Sequence, residues 1–90
     1  MKFTQQELDA LIGEEGAPQL SGFDLSGARL SGRHLTGADF SGANLTNTDL
    51  SGANLSNAKL INGRLTRANL KVADLTDADL TGADMIGIEQ

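Results

Sequence analysis

Side-chain carboxylates and carboxamides recur in this chain at positions separated by multiples of five: Asp24, Asp39, Asn44, Asp49, Asn54, Asn69, Asp74, Asp79 and Asp84. Such a series could supply paired carboxylates for general acid–base chemistry or oxygen ligands for a hard cation such as calcium. The calcium-binding nonapeptide pattern, however, needs glycine pairs and a period of nine, and the sequence has neither. His34 is the sole histidine, and the chain has no cysteine to join it as a metal ligand. A solvated imidazole is the expected role for it, rather than a base or a ligand. Serines are plentiful, but none stands in a nucleophile-elbow context. The Ser-Gly-Ala pieces read as turns, not as phosphate loops. Asn44-Leu45-Thr46 and Asn54-Leu55-Ser56 match the glycosylation sequon, as a repeat of this composition will by accident. No catalytic, cofactor-binding or metal-ligating residue is assigned, and the chain is not expected to be an enzyme.

The elements that position these side chains follow from a second series. Every fifth residue from Leu20 to Met85 is Leu, Phe or Met, fourteen times without a miss. Two residues before each lies a small slot, which is Ala at nine of the fourteen places. A straight α-helix carries residues five apart to positions about 140° away from one another, so the leucines would spiral over every face. A flat strand would throw successive leucines to opposite sides. A chain that turns a corner once per pentad keeps them all inside. The small residue and the Leu then share the inner side of a short extended segment, and the residue between them faces out. The following Ser/Thr-Gly pair supplies the corner, Gly tolerating positive φ and the hydroxyl bonding local backbone.

The run Ala38-Asp39-Phe40-Ser41-Gly42-Ala43-Asn44-Leu45 resembles the A(D/N)LXX signature of the pentapeptide-repeat proteins, and the resemblance extends over residues from about 18 to 88. It implies an all-β solenoid, a right-handed quadrilateral β-helix with four pentads to a coil. It also accounts for the recurrent Asp and Asn, which the repeat itself prescribes. A coil of twenty residues stacks four inner columns: Leu20/Phe40/Leu60/Leu80, Leu25/Leu45/Leu65/Met85, Leu30/Leu50/Leu70 and Leu35/Leu55/Leu75. Each coil needs contacts only with its neighbours. The domain organisation expected is a capping helix with its connector in residues 1–16 and the β-helix in residues 17–90.

Thr4 and Glu7 form a capping-box pattern, Phe3 and Leu8 a hydrophobic staple, and Leu8, Leu11 and Ile12 one apolar face. Gly13 fits the C′ stop of such a helix. A helix this short must dock, and the bottom of the first coil is the nearest apolar surface. Five small slots depart from Ala: Pro18, Phe23, Arg33, Thr48 and Gly63. Thr48 and Gly63 are ordinary substitutes, and Phe23 is expected to plug the lower end. Arg33 is expected to reach down to the helix's C-terminal carbonyls or to Glu14 or Glu15, where a cation is favoured.

At the other end, Leu80, Met85, Ile86 and Ile88 leave an apolar rim beside an unpaired coil edge. A weak homodimer through this C-terminal coil is the expectation. Net charge is −5, without the clustered Lys and Arg that nucleic-acid binding requires, so no direct contact with nucleic acid is expected. No apolar run is long enough to span a bilayer and no signal-peptide core opens the chain, which makes cytoplasmic residence without membrane contact the default. The expected function is a scaffold or protein-interaction module that binds an unidentified protein through its faces. Some family members mimic duplex DNA and bind type II topoisomerases, and regulation or protection of a gyrase is the alternative. Lys59, Arg64, Arg67 and Lys71 interrupt the acidic stripes that such mimicry needs.

Overall fold

A computed structural model of the protein describes residues 3–13 and 16–90. The extended residue in the middle of each pentad forms a parallel bridge with the residue twenty positions on, from Gln19–Asp39 through Asn69–Glu89. This fixes the coil at four pentads and confirms the column register expected from the sequence. Each side contributes a single-residue bridge and no longer strand, because only three residues separate successive corners. The bonding within a side is nonetheless complete. Leu20 N–H donates to the Asp39 carbonyl (2.8 Å), Asp39 N–H to the Pro18 carbonyl (2.9 Å), and Gly22 N–H to the Ser41 carbonyl (2.9 Å). The same three bonds recur up the tower, so the backbone groups of the inner coils are satisfied although the polar chain runs beside a dry interior.

Each corner is closed by a bond from the small-slot N–H back to the large residue's carbonyl, as from Ala43 to Phe40 (2.9 Å) and from Ala58 to Leu55 (3.0 Å). The second corner residue has φ between 57° and 74° in every pentad from Gly22 to Gly87. Positive φ at that position alone is the type II turn, which favours Gly or Asn there. Asn47, Asn57 and Asn62 comply, whereas Arg67, Val72 and Asp77 do not. At Gly82 a Cβ would also meet the side-chain oxygen of Asn62 one coil below, which would have to swing aside.

The inner columns form one apolar cluster, fully buried from Leu20 to Leu65. Thr48, in a small slot, is buried with its hydroxyl donating to the Leu25 carbonyl (3.1 Å). Burial fades in the last coil, where Leu75 and Leu80 are only partly covered.

Helix α1 (Gln5–Ile12) closes the other end. Thr4 caps it through a complete capping box with Glu7, and Leu8 and Ile12 are buried in the same cluster as the coil leucines. Phe3 stacks on Phe23 at 5.0 Å between centroids, so the aromatic side chain in that small slot does help to seal the lower end. Two expectations are corrected. Gly13 terminates the helix in the right-handed region (φ −75°, ψ −6°), its N–H bonding the Asp9 carbonyl, so it uses no left-handed stop. Arg33 does reach down to the helix, but its partner is the Asp9 carboxylate. That side chain projects from the helix where it meets the coil, and it offers a full charge in place of the partial charge on terminal carbonyls. Glu14 and Glu15 lie outside the described residues.

Candidate interaction surfaces

The outward Asp and Asn side chains have a local task. In each of the nine, Oδ1 accepts the backbone N–H two residues on, at 2.9–3.1 Å, from Asp24–Ser26 to Asp84–Ile86. Ser26, Ser51, Ser56, Thr76 and Thr81 add a hydroxyl bond to the same oxygen at 2.6–2.8 Å. This is the Asx turn, which leads the chain into the corner that follows each of these nine residues. It gives the physical reason why Asp or Asn is prescribed between the two inner positions.

The electrostatics follow from the same bonds. The Ser51 hydroxyl and N–H hold the Asp49 carboxyl below its ordinary range, and the Thr76 and Thr81 hydroxyls and N–H groups do so for Asp74 and Asp79. Asp39 is held down by the Ser41 N–H first, then by the Ser41 hydroxyl and the charge of Lys59. A general acid needs the opposite shift. These side chains are committed hydrogen-bond acceptors, strung along a regular lattice. His34 is exposed in its outward slot, and among the described residues no three His, Asp or Glu side chains gather as metal ligands. No helix among the described residues is long and apolar enough to cross a membrane.

Six outward slots hold residues that make no Asx turn: Gln19, Arg29, His34, Lys59, Arg64 and Glu89. Of these, the side chains of Arg29, His34, Lys59 and Arg64 make no hydrogen bond or ion pair among the described residues. They project from the rigid coil on all four sides. Sequence reasoning treated Lys59 and Arg64 as breaks in the acidic stripes and His34 as a solvated imidazole, and did not single out Arg29. The absence of an Asx acceptor at each was the signal that set them apart.

At the C-terminal end, Leu80, Met85 and Ile88 line one concave apolar mouth, together with Leu70, Val72 and Leu75. Ile86, expected beside them in an outward slot where Ser or Thr is the habit, occupies that first corner position and is 73 % exposed. Val72 was not anticipated. It occupies a second corner position at φ 57° and is 91 % exposed. A β-branched residue in that region is a genuine backbone outlier.

A four-sided coil with turn-bound carboxylates and projecting cations defines a repeat solenoid that displays side chains on fixed faces. The family of pentapeptide repeats (8 copies) matches residues 24–60 and 53–88, and the chain belongs to that family. It is similar to a pentapeptide repeat protein from Nostoc Pcc 7120, at 43% identity and a TM-score of 0.76, the match covering 78% of this chain and 58% of that one. A pentapeptide repeat protein from the cyanobacterium Cyanothece 51142 is 29% identical with a TM-score of 0.56, covering 86% and 63%. QnrB1, a plasmid-mediated fluoroquinolone resistance protein, is 28% identical with a TM-score of 0.69, covering 79% and 34%. The chain thus spans less than two thirds of the length of each of these structures. No curated protein matches at a significant level.

Proposed function

We propose that the chain is a non-enzymatic protein-interaction module, wound as a right-handed quadrilateral β-helix, that engages a protein partner through its lateral faces in the cytoplasm. The observation that carries this reading is the set of unbonded side chains, Arg29, His34, Lys59 and Arg64, in slots where the repeat favours Asp or Asn. Each gives up an Asx turn, so each costs the scaffold some local order and offers a donor to solvent instead. Fold alone does not name the partner. Affinity capture with the parent and with two paired variants, Arg29→Asp/His34→Asp and Lys59→Asp/Arg64→Asp, tests the reading. A partner lost from one variant and kept by the other supports it. Identical captured sets from all three proteins count against it.

The likeness to QnrB1 favours a second reading, protection or regulation of a type II topoisomerase by a DNA-like surface. The net charge of −5 agrees with it, while the cationic side chains weigh against it. Gyrase supercoiling in the presence of a fluoroquinolone decides: restored activity on adding the chain supports this second reading, and unchanged inhibition eliminates it.

A further inference from the structure

Four observations converge on the C-terminal mouth, separately from the lateral faces. The first is the apolar lining by Leu75, Leu80, Met85 and Ile88. The second is a bare backbone edge. One coil below, Leu55, Leu60 and Leu65 donate to the carbonyls of Asp74, Asp79 and Asp84 at 2.7–2.8 Å, and the carbonyls of Ala53, Ala58 and Gly63 accept in return at 2.9 Å. Their counterparts above, the N–H groups of Leu75, Leu80 and Met85 and the carbonyls of Ala73, Ala78 and Ala83, have no partner among the described residues. Such a row is a template for strand addition.

Third, Val72 holds a strained corner beside this mouth, in the column where Gly32 and Gly52 serve below. Fourth, Asp74, Asp79, Asp84 and Glu89 place one carboxylate on each of the four sides of the rim. Residues 71–90 carry five acidic side chains against the single Lys71, which pairs with Glu89 at 3.6 Å.

The fourth observation selects the occupant. A second copy docking about a two-fold axis would bring its own rim strands antiparallel to these. Whether the axis runs through a side or through a corner, every side then meets a side that also bears a carboxylate. Like charges directly opposite across a strand pair are destabilising. An occupant with the same apolar spacing but cationic outward residues meets the ring favourably on all sides. We propose that the C-terminal mouth is a strand-docking site for a protein segment of alternating apolar and Lys/Arg residues, with Val72 as an apolar anchor and the carboxylate ring excluding a second copy of this chain near neutral pH.

The test uses the 90-residue chain and two twenty-residue peptides, four repeats of Ala-Lys-Leu-Thr-Gly and four of Ala-Asp-Leu-Thr-Gly. At pH 7 and low salt the parent is expected to sediment as a monomer and to bind the lysine peptide about tenfold more tightly than the aspartate peptide, four charge pairs acting together. Amide shifts on binding should centre on Leu75, Leu80 and Met85. Asp79→Asn with Asp84→Asn keeps both Asx acceptors while removing charge, so it should narrow the preference and promote self-association. Val72→Gly should raise the melting temperature yet weaken the lysine peptide, a combination that a merely structural role would not give. Arg29→Asp changes a lateral face and should leave peptide binding untouched, which separates this proposal from the face-binding one. Equal affinity for the two peptides, or no binding by either, overturns the docking site. A parent dimer at pH 7 that the Asn variant does not strengthen assigns the mouth to a second copy instead.

Discussion

At the first coil, Leu20 and Leu25 share a sealed cluster with Leu8 and Ile12 of α1, while at the last coil Leu75, Leu80 and Met85 face an open mouth. The polar chain differs in the same sense. Below, the Gln5 side chain imitates a peptide group: its Nε2 donates to the Arg29 carbonyl (2.8 Å) and its Oε1 accepts the Arg29 N–H (3.0 Å). One residue of the bottom edge is thereby paired as if another coil lay beneath it. Above, no side chain among the described residues does this for the top edge. A repeat carries no information about its own ends, so whatever happens there must be written outside the repeat or brought by something else.

The largest test of that contrast is truncation. Removing residues 1–16 takes away the burial of Leu8 and Ile12, about 1.5–3 kcal/mol for each, and uncovers the lower coil. Aggregation or a steep fall in melting temperature is expected in thermal unfolding with light scattering. A truncated tower that stays monomeric and as stable as the parent would show that α1 is not a cap. Matched cavity mutants at the two ends sharpen the comparison. Leu8→Ala, at a fully buried site, should cost about 2–5 kcal/mol in urea unfolding, whereas Leu80→Ala, at a partly buried site, should cost at most about 1.5 kcal/mol. Equal costs would mean that the mouth is as well packed as the capped end.

The period of five made the inner columns readable residue by residue, because only one backbone geometry buries every fifth side chain. The helix was readable from Thr4, Glu7 and its apolar face for a similar local reason. What escaped reading depends on contacts between elements or on backbone shape. Asp9 as the partner of Arg33, and Gln5 as a stand-in for a coil, both arise from how α1 lies on the first coil, and no spacing rule encodes that. Gly13 matches a left-handed stop in composition, yet the chain leaves the helix in the right-handed region. The candidate rim was readable in part: Leu80, Met85 and Ile88 followed from inward slot positions and Ile86 from its outward one, while Val72 was missed. Val72 could have been found by asking which second corner positions lack Gly or Asn.

A smaller effect separates a designed edge from a bare one. Gln5→Leu leaves an aliphatic side chain one atom shorter and removes both bonds to Arg29 and the bond to Asp9 (3.0 Å). A loss of about 1–2 kcal/mol is expected, since the Arg29 groups must then find water beneath the helix. Gln5→Glu keeps an acceptor for the Arg29 N–H but turns a donor into a charge facing the Arg29 carbonyl and Asp9. It should be no better than Gln5→Leu at pH 7. If either variant matches the parent in urea unfolding, the side-chain bridge does not stabilise the lower edge.

The smallest effect concerns the Asx turns, which recur from the first coil to the last. Asp39, Asp49, Asp74 and Asp79 are held below the ordinary carboxylate value of 3.8 by hydrogen bonds that favour the ionised form. The unfolded chain therefore takes up protons first as pH falls. The stability from these groups is complete above the unfolded value and is lost as pH drops through the lower folded values. Asn54 shows what a neutral replacement does: its Oδ1 accepts the Ser56 N–H at 3.0 Å and the Ser56 hydroxyl at 2.8 Å, against 3.0 and 2.7 Å for Asp49 and Ser51. Asp49→Asn should thus fall within about 0.5 kcal/mol of the parent at pH 7. Between pH 7 and pH 3, however, it should lose less stability than the parent, because one proton-linked group has gone. Urea unfolding of both proteins at the two pH values gives the comparison. Identical losses would show that the Asp49 turn contributes nothing to the acid sensitivity.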